Sequence, residues 1–128
     1  MTKVLYAEDV EFLRQGICAD LREAGFEVAS CPLDRQEALR SVEAQQPDVL
    51  LLDVMSETNI HEGLSIAEHL REHPLRKQGR MKVLLLTIFR QDDEAIRGAL
   101  AQGLADGIVT KPTTSERIVR EITRVMRN

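Results

Sequence analysis

The chain has 128 residues, 43% of them hydrophobic and 30% charged, which suits one domain with its own core and is too short for two ordinary ones. Its 21 acidic and 17 basic side chains leave a formal net charge of -4, so the molecule as a whole has no electrostatic reason to coat nucleic acid or an anionic membrane. Cys18 and Cys31 lack the spacing of a metal knuckle or a secreted disulfide framework and are expected to be reduced structural thiols.

The first apolar run, Lys3 to Ala7, is broken by Glu8 and Asp9. It forms neither a signal-peptide core nor a spanning segment, and a cytoplasmic address is expected. A helix follows over Glu11 to Ala24, with Phe12, Ile17, Cys18, Leu21 and Ala24 as its apolar stripe and Gly25 beyond its end. The second run, Glu27 to Ser30, leads through Pro32 into a helix over Asp34 to Gln45, with Asp34 as N-cap, Ala38, Leu39 and Val42 inward, and Pro47 as the stop. Val49 to Leu52 is uninterrupted aliphatic, the mark of a central strand buried on both faces.

Beyond Asp53, a polar connection from Ser56 to Glu62 precedes a helix from about Leu64 to Glu72, ended by Pro74. Val83 to Leu86 reads as the fourth strand, Asp92 to Gln102 as the fourth helix, and Ile108 to Thr110 as the fifth strand. A closing helix over Ser115 to Met126 turns Ile118, Ile122, Val125 and Met126 inward. Alternating strands and helices of this kind imply an α/β fold, an open, doubly wound parallel sheet of five strands with helices on both faces.

The chemistry lies where polar residues interrupt the strands: Glu8 and Asp9 after the first, Asp53 after the third, Thr87 after the fourth, Lys111 after the fifth. In a parallel sheet these C-terminal ends share one edge and converge on a crevice. Crowded carboxylates repel one another until a hard cation binds their oxygens, and magnesium suits such a site, its shell commonly completed by phosphate. A carboxylate can itself be the nucleophile, forming an aspartyl phosphate, and Asp53 holds the central position. Thr87 offers a hydroxyl and Lys111 a compact charge with three donors.

The motifs Val-Leu-Tyr-Ala-Glu-Asp at 4 to 9, Pro-Asp-Val-Leu-Leu-Leu-Asp at 47 to 53, Val-Leu-Leu-Leu-Thr at 83 to 87 and Thr-Lys-Pro at 110 to 112 resemble the receiver domains of two-component signalling, over essentially the whole chain. Each motif is weak alone; their order, each at a strand end, makes the joint signal strong. The resemblance implies a flavodoxin-like sheet of order 2-1-3-4-5 in a single domain spanning residues 1–128. It implies phosphorylation of Asp53 by a histidine kinase or phosphotransfer protein, Thr87 as switch hydroxyl and Lys111 as phosphate partner. It also implies magnesium on Asp9, Asp53 and the carbonyl of Met55, with Glu8 acting mainly through water. Such a chain catalyses its own modification without being a turnover enzyme.

Three departures stand out. The position four past the phosphoacceptor, usually proline, is Glu57, and the glycine expected after it is Gly63, about two residues late. The residue after the switch hydroxyl, usually small, is Ile88, and the usual aromatic three before the lysine is Ile108. These keep open an interaction module of the same fold that works without phosphorylation. An aspartyl-phosphate phosphohydrolase is the enzyme-class alternative, but Asp53-Val54-Met55 lacks the second aspartate that it usually wants.

His69, Glu72 and His73 spell the His-x-x-Glu-His of one zinc-protease class, yet Pro74 ends that helix at once and no third ligand is near, so exposed histidines on a charged face are expected. His61 lies in the long loop, toward the metal edge or in solvent. Arg117, Arg120, Arg124 and Arg127 form one basic face of the closing helix. That face is either solvated or part of the surface of helix 4, strand 5 and helix 5 that receivers commonly use for an output partner. Gly98, inside the fourth helix, is there either for close packing or for looseness. The length leaves no room for a separate DNA-binding module, so the chain is a stand-alone receiver or part of a longer protein.

Overall fold

Five aliphatic runs become five parallel strands in a computed structural model that describes residues 1–55, 61–88 and 93–127. The strands are β1 (Lys3–Ala7), β2 (Glu27–Cys31), β3 (Val49–Asp53), β4 (Lys82–Thr87) and β5 (Gly107–Thr110), in the order β2-β1-β3-β4-β5. Among the described residues six helices accompany them: α1 (Glu11–Glu23), α2 (Arg35–Gln45), α3 (Glu62–Leu70), α4 (Pro74–Lys77), α5 (Glu94–Ala101) and α6 (Ser115–Met126). The expected fourth helix is thus α5 and the closing helix α6. None of the described helices is long and apolar enough to cross a membrane.

Strand alternation splits the core into two layers. Val4 and Tyr6 of β1, Val49 and Leu51 of β3, Leu84 and Leu86 of β4 and Val109 of β5 pack with Cys18 and Leu21 of α1 and Ile118 and Ile122 of α6. The alternate residues Leu5, Leu50, Leu52, Leu85 and Ile108 pack with Ala38 and Val42 of α2, Ile66 and Leu70 of α3 and Ile96 and Ala99 of α5. Both cysteines are buried and unpaired, and burial pushes both thiols up, which makes them poor nucleophiles.

Several expectations need correction. Phe12 is 83% exposed and Met126 38% exposed, and Ala24 is exposed as well, so none of the three belongs to the core. The helix before Pro74 ends early, at Leu70, with His73 extended ahead of the proline, and Pro74 itself opens α4 in its first turn, where its missing N–H costs no hydrogen bond. From α4, Arg76 reaches the carbonyls of Met81 and Gly103 and the carboxylate of Asp106, which also accepts the N–H of Val83. His69 is exposed as expected, but His73 is half-buried: its Nδ1 caps α4 through Leu75 N–H, and its Nε2 pairs with Glu43. Asp34 caps α2 as expected, through Glu37 N–H.

Candidate functional site

The sheet order sets β1 beside β3, with Ala7 level with Leu52, and β4 between β3 and β5, with Thr87 level with Thr110. The residues that end these strands therefore meet at one edge. Alternation puts Glu8 in line with Tyr6, Asp53 with Leu51 and Lys111 with Val109, all on the α1/α6 side. Their side chains do come together: Lys111 Nζ lies 3.0 Å from Asp53 Oδ2 and 3.6 Å from Glu8 Oε1. Thr87, buried at the end of β4, falls by the same alternation on the α5 side, and its carbonyl accepts the Lys111 N–H at 2.7 Å.

Glu8 is 1% exposed and held at every polar atom. Its N–H donates to the Cys31 carbonyl, its own carbonyl accepts from Arg14 Nη1, Oε1 accepts from the Tyr6 hydroxyl at 3.0 Å, and Oε2 accepts from Val10 N–H at 3.3 Å. Tyr6, whose hydroxyl donates to Glu8, stands at the site without being singled out by the motifs. The available signal is a hydroxyl in an otherwise aliphatic strand, two positions before an acid and so on its face.

Asp53 is 4% exposed. Burial first, and then the adjacent Glu8 carboxylate, push its carboxyl from the ordinary 3.8 up to about 7, against the pull of Lys111. Gly63, at the start of α3, lies against it: a Cβ there would collide with the Asp53 carbonyl oxygen and the Val54 Cα. The Gly63 N–H donates to the Val54 carbonyl at 2.8 Å. A glycine two residues late thus still lets α3 start against the end of β3.

Asp9 does not cap α1, whose N-cap is Val10 with no side-chain bond. Its Oδ1 accepts the Leu33 N–H at 2.9 Å and ties the β1 and β2 loops together. Met55 stands at the surface two residues past Asp53. Among the described residues no three acidic, His or Cys side chains are grouped as a finished metal site; an ammonium sits between Asp53 and Glu8 instead. Two buried carboxylates against one ammonium still leave negative charge in a crevice of hard oxygen donors, and that chemistry fits a cation such as magnesium.

Ile88 is 52% exposed, at the rim of a mostly apolar crevice of about 430 Å3 that it shares with Leu13, Ile17 and Pro112 and that reaches Glu8 and Lys111. Ser56 and Glu57 in the acidic loop, and Asp92 at the expected helix start, lie outside the described residues. His61 precedes α3 and lines a groove between α3 and α5. On α6, Arg124 pairs with Glu121 and reaches the Asp106 carbonyl, while Arg117 and Arg120 are exposed.

Comparison with known proteins agrees with this geometry. Residues 4–123 match the response regulator receiver domain family. The phosphate regulon transcriptional regulatory protein PhoB of Escherichia coli is 29% identical over 125 residues, covering 98% of this chain and 52% of that protein. The transcriptional regulatory protein CseB of Streptomyces coelicolor is 31% identical over 126 residues, covering 98% and 50%. The chain thus spans about half the length of these curated relatives. Among solved structures, the chemotaxis response regulator CheY4 of Vibrio cholerae superposes with a TM-score of 0.82 at 28% identity, covering 98% of each chain. Response regulator TrrA of Thermotoga maritima, solved in complex with Mg(2+)-BeF, has a TM-score of 0.75 at 24% identity over 98% of this chain and 99% of that one. With its five-stranded order and its strand-end acids and lysine, this chain belongs to the response regulator receiver domain family.

Proposed function

We propose that the chain accepts a phosphoryl group on Asp53 from a histidine kinase or phosphotransfer protein and signals through a change of surface, as a single-domain unit rather than a turnover enzyme. The observation that carries this reading is the Lys111 ammonium 3.0 Å from a buried Asp53 carboxylate that Glu8 also crowds. An Asp53 oxygen attacks phosphorus as the bond to the donor's nitrogen breaks. Lys111 then turns its charge to a phosphoryl oxygen, and the Thr87 hydroxyl donates to another. Magnesium, when bound, neutralises charge on the transferring group. Glu8, Asp9, Asp53 and the Met55 carbonyl would hold it.

Leu13 and the half-exposed Ile88 line the crevice that reaches Glu8 and Lys111 and offer a donor apolar surface there. Ile108 is buried and β-branched and offers no ring rotation, so switching runs through Thr87, Ile88 and α5. Output goes to a partner on the α5, β5 and α6 face, with Arg117, Arg120 and Arg124 among its contacts.

Intact mass after incubation with acetyl phosphate or phosphoramidate and magnesium tests the reading. One added phosphoryl group on the wild type, none on Asp53→Asn and none with chelator are expected. No uptake from any donor would leave a phosphorylation-independent module, and label surviving in Asp53→Asn would place the nucleophile elsewhere.

A further inference from the structure

We infer that Tyr6 is a positioning residue for the acidic site: its buried hydroxyl fixes the Glu8 carboxylate and thereby leaves Lys111 to Asp53. The role rests on the reading of Asp53 as acceptor only for its effect on phosphoryl uptake; the effect on the carboxylates stands by itself.

Tyr6 is fully buried in a layer whose other strand residues, Val4, Val49, Leu51, Leu84, Leu86 and Val109, are aliphatic. A phenol placed there incurs a desolvation cost unless its hydroxyl finds a partner. The partner is Glu8 Oε1, at 3.0 Å, and it is the same oxygen that lies 3.6 Å from Lys111 Nζ. Glutamate has one more rotatable bond than aspartate, so an acid of this length needs more fixing to hold one position. The Val10 N–H fixes Oε2 and the tyrosine fixes Oε1.

The consequence concerns how one ammonium is shared between two acids. Because a neutral donor already satisfies Oε1, Lys111 sits closer to Asp53, at 3.0 Å, than to Glu8. Without the hydroxyl, Lys111 is a strong donor close to Oε1, at 3.6 Å, and a buried oxygen short of a donor draws it in. The ammonium then leaves Asp53, and Glu8 turns away from the edge it shares with Asp53. Cation binding at that edge weakens, as does phosphoryl uptake.

Tyr6→Phe removes only the hydroxyl and keeps the ring. Calorimetric titration with magnesium should show a dissociation constant raised roughly tenfold, the usual effect of losing a hydrogen-bond partner behind a metal ligand. Uptake from phosphoramidate at subsaturating magnesium should slow in parallel. In a Glu8→Gln background the same Tyr6→Phe change should add little, because residues acting through one contact are not additive.

The chain has one tyrosine and no tryptophan, so tyrosine emission of the wild type reports on this bond directly. It should change on Glu8→Gln and on magnesium addition. Equal effects of Tyr6→Phe with and without Glu8, an unchanged dissociation constant, or emission indifferent to Glu8→Gln would overturn the inference. A wild type that binds magnesium more tightly than Tyr6→Phe but takes no phosphoryl group would sink the acceptor reading and leave Tyr6 its role. Normal uptake with unchanged magnesium binding in Tyr6→Phe would do the reverse.

Discussion

Replacing Asp53 by asparagine should stabilise the metal-free protein, and by an amount that depends on pH. In the folded chain the Asp53 carboxyl is pushed from 3.8 up to about 7 by burial and by Glu8. Between those values the folded state holds a proton that the unfolded state has released, so stability falls as pH rises through the window and levels off above it. At about 1.4 kcal/mol per pH unit, the full window corresponds to about 4 kcal/mol as an upper bound. Asparagine avoids this cost, and the opposing pull of Lys111 is already contained in the net shift. The gain above neutrality is then at most about 4 kcal/mol, or roughly 12 to 16 °C in melting temperature for a chain of this size. Thermal melts of the two proteins in chelator, from pH 4 to pH 8.5, should show curves that lie close together at the acid end, diverge toward pH 7 and run parallel beyond it. Saturating magnesium should close most of the gap by compensating the ionised carboxylate. A gap constant across the whole range, or an asparagine variant that is less stable at pH 8, would refute the argument that Asp53 ionises at a cost.

Gly63→Ala should cost about 1 to 3 kcal/mol in denaturant unfolding and slow phosphoryl uptake, since the new methyl meets backbone at Asp53 and Val54; a neutral outcome would show that α3 can retreat freely. Gly98→Ala should do the opposite: among the described residues a Cβ there meets only the Gln102 Nε2, at 3.9 Å, so close packing against them does not explain the glycine, and the melt should rise by the equivalent of up to about 1 kcal/mol. Arg117→Glu with Arg120→Glu should leave the melt within about 0.5 kcal/mol while weakening capture of an output partner. Arg124→Ala should cost more, because its guanidinium lies over Gly107, pairs with Glu121 and bonds the Asp106 carbonyl; equal melts for the two changes would show that this tether contributes nothing.

The strands were legible in the sequence because those buried on both faces leave little choice but aliphatic residues, while their order came from the resemblance to receiver domains, which the sheet bears out. Given that order, the meeting of Glu8, Asp53 and Lys111 follows from strand ends alone. What was not legible depends on contacts remote in sequence or on helix phase. Phe12 fits an apolar stripe by composition, but it stands nine residues from Leu21, and at about 100° per residue that is half a turn away from the buried side. The tie that Asp9 makes was not legible because its partner, the Leu33 N–H, belongs to another loop. Pro74 was read as a stop because proline ends helices as readily as it begins them, and only the bonds around Arg76 decide which.

The missing aromatic illustrates the same limit from the side of function. The sequence shows that Ile108 stands where a ring is usual, but not what replaces the ring's movement. In the fold, Ile108 shares its layer with Leu85 of β4 and with Ile96 and Ala99 of α5, and Thr87 follows Leu85 on the same face of β4 by alternation. A pull on the Thr87 hydroxyl therefore bears on the layer beneath α5, where close-packed side chains pass a shift on rather than absorb it. That helix carries Gly98, where the nearest described neighbour of a Cβ is the flexible end of Gln102 at 3.9 Å, so a small change of path meets no close contact on that side. On the proposed reading, the packing beneath α5 would take the place of a rotating ring, and amide shifts on adding a phosphate analogue should then be larger over 93–101 than at Ile108.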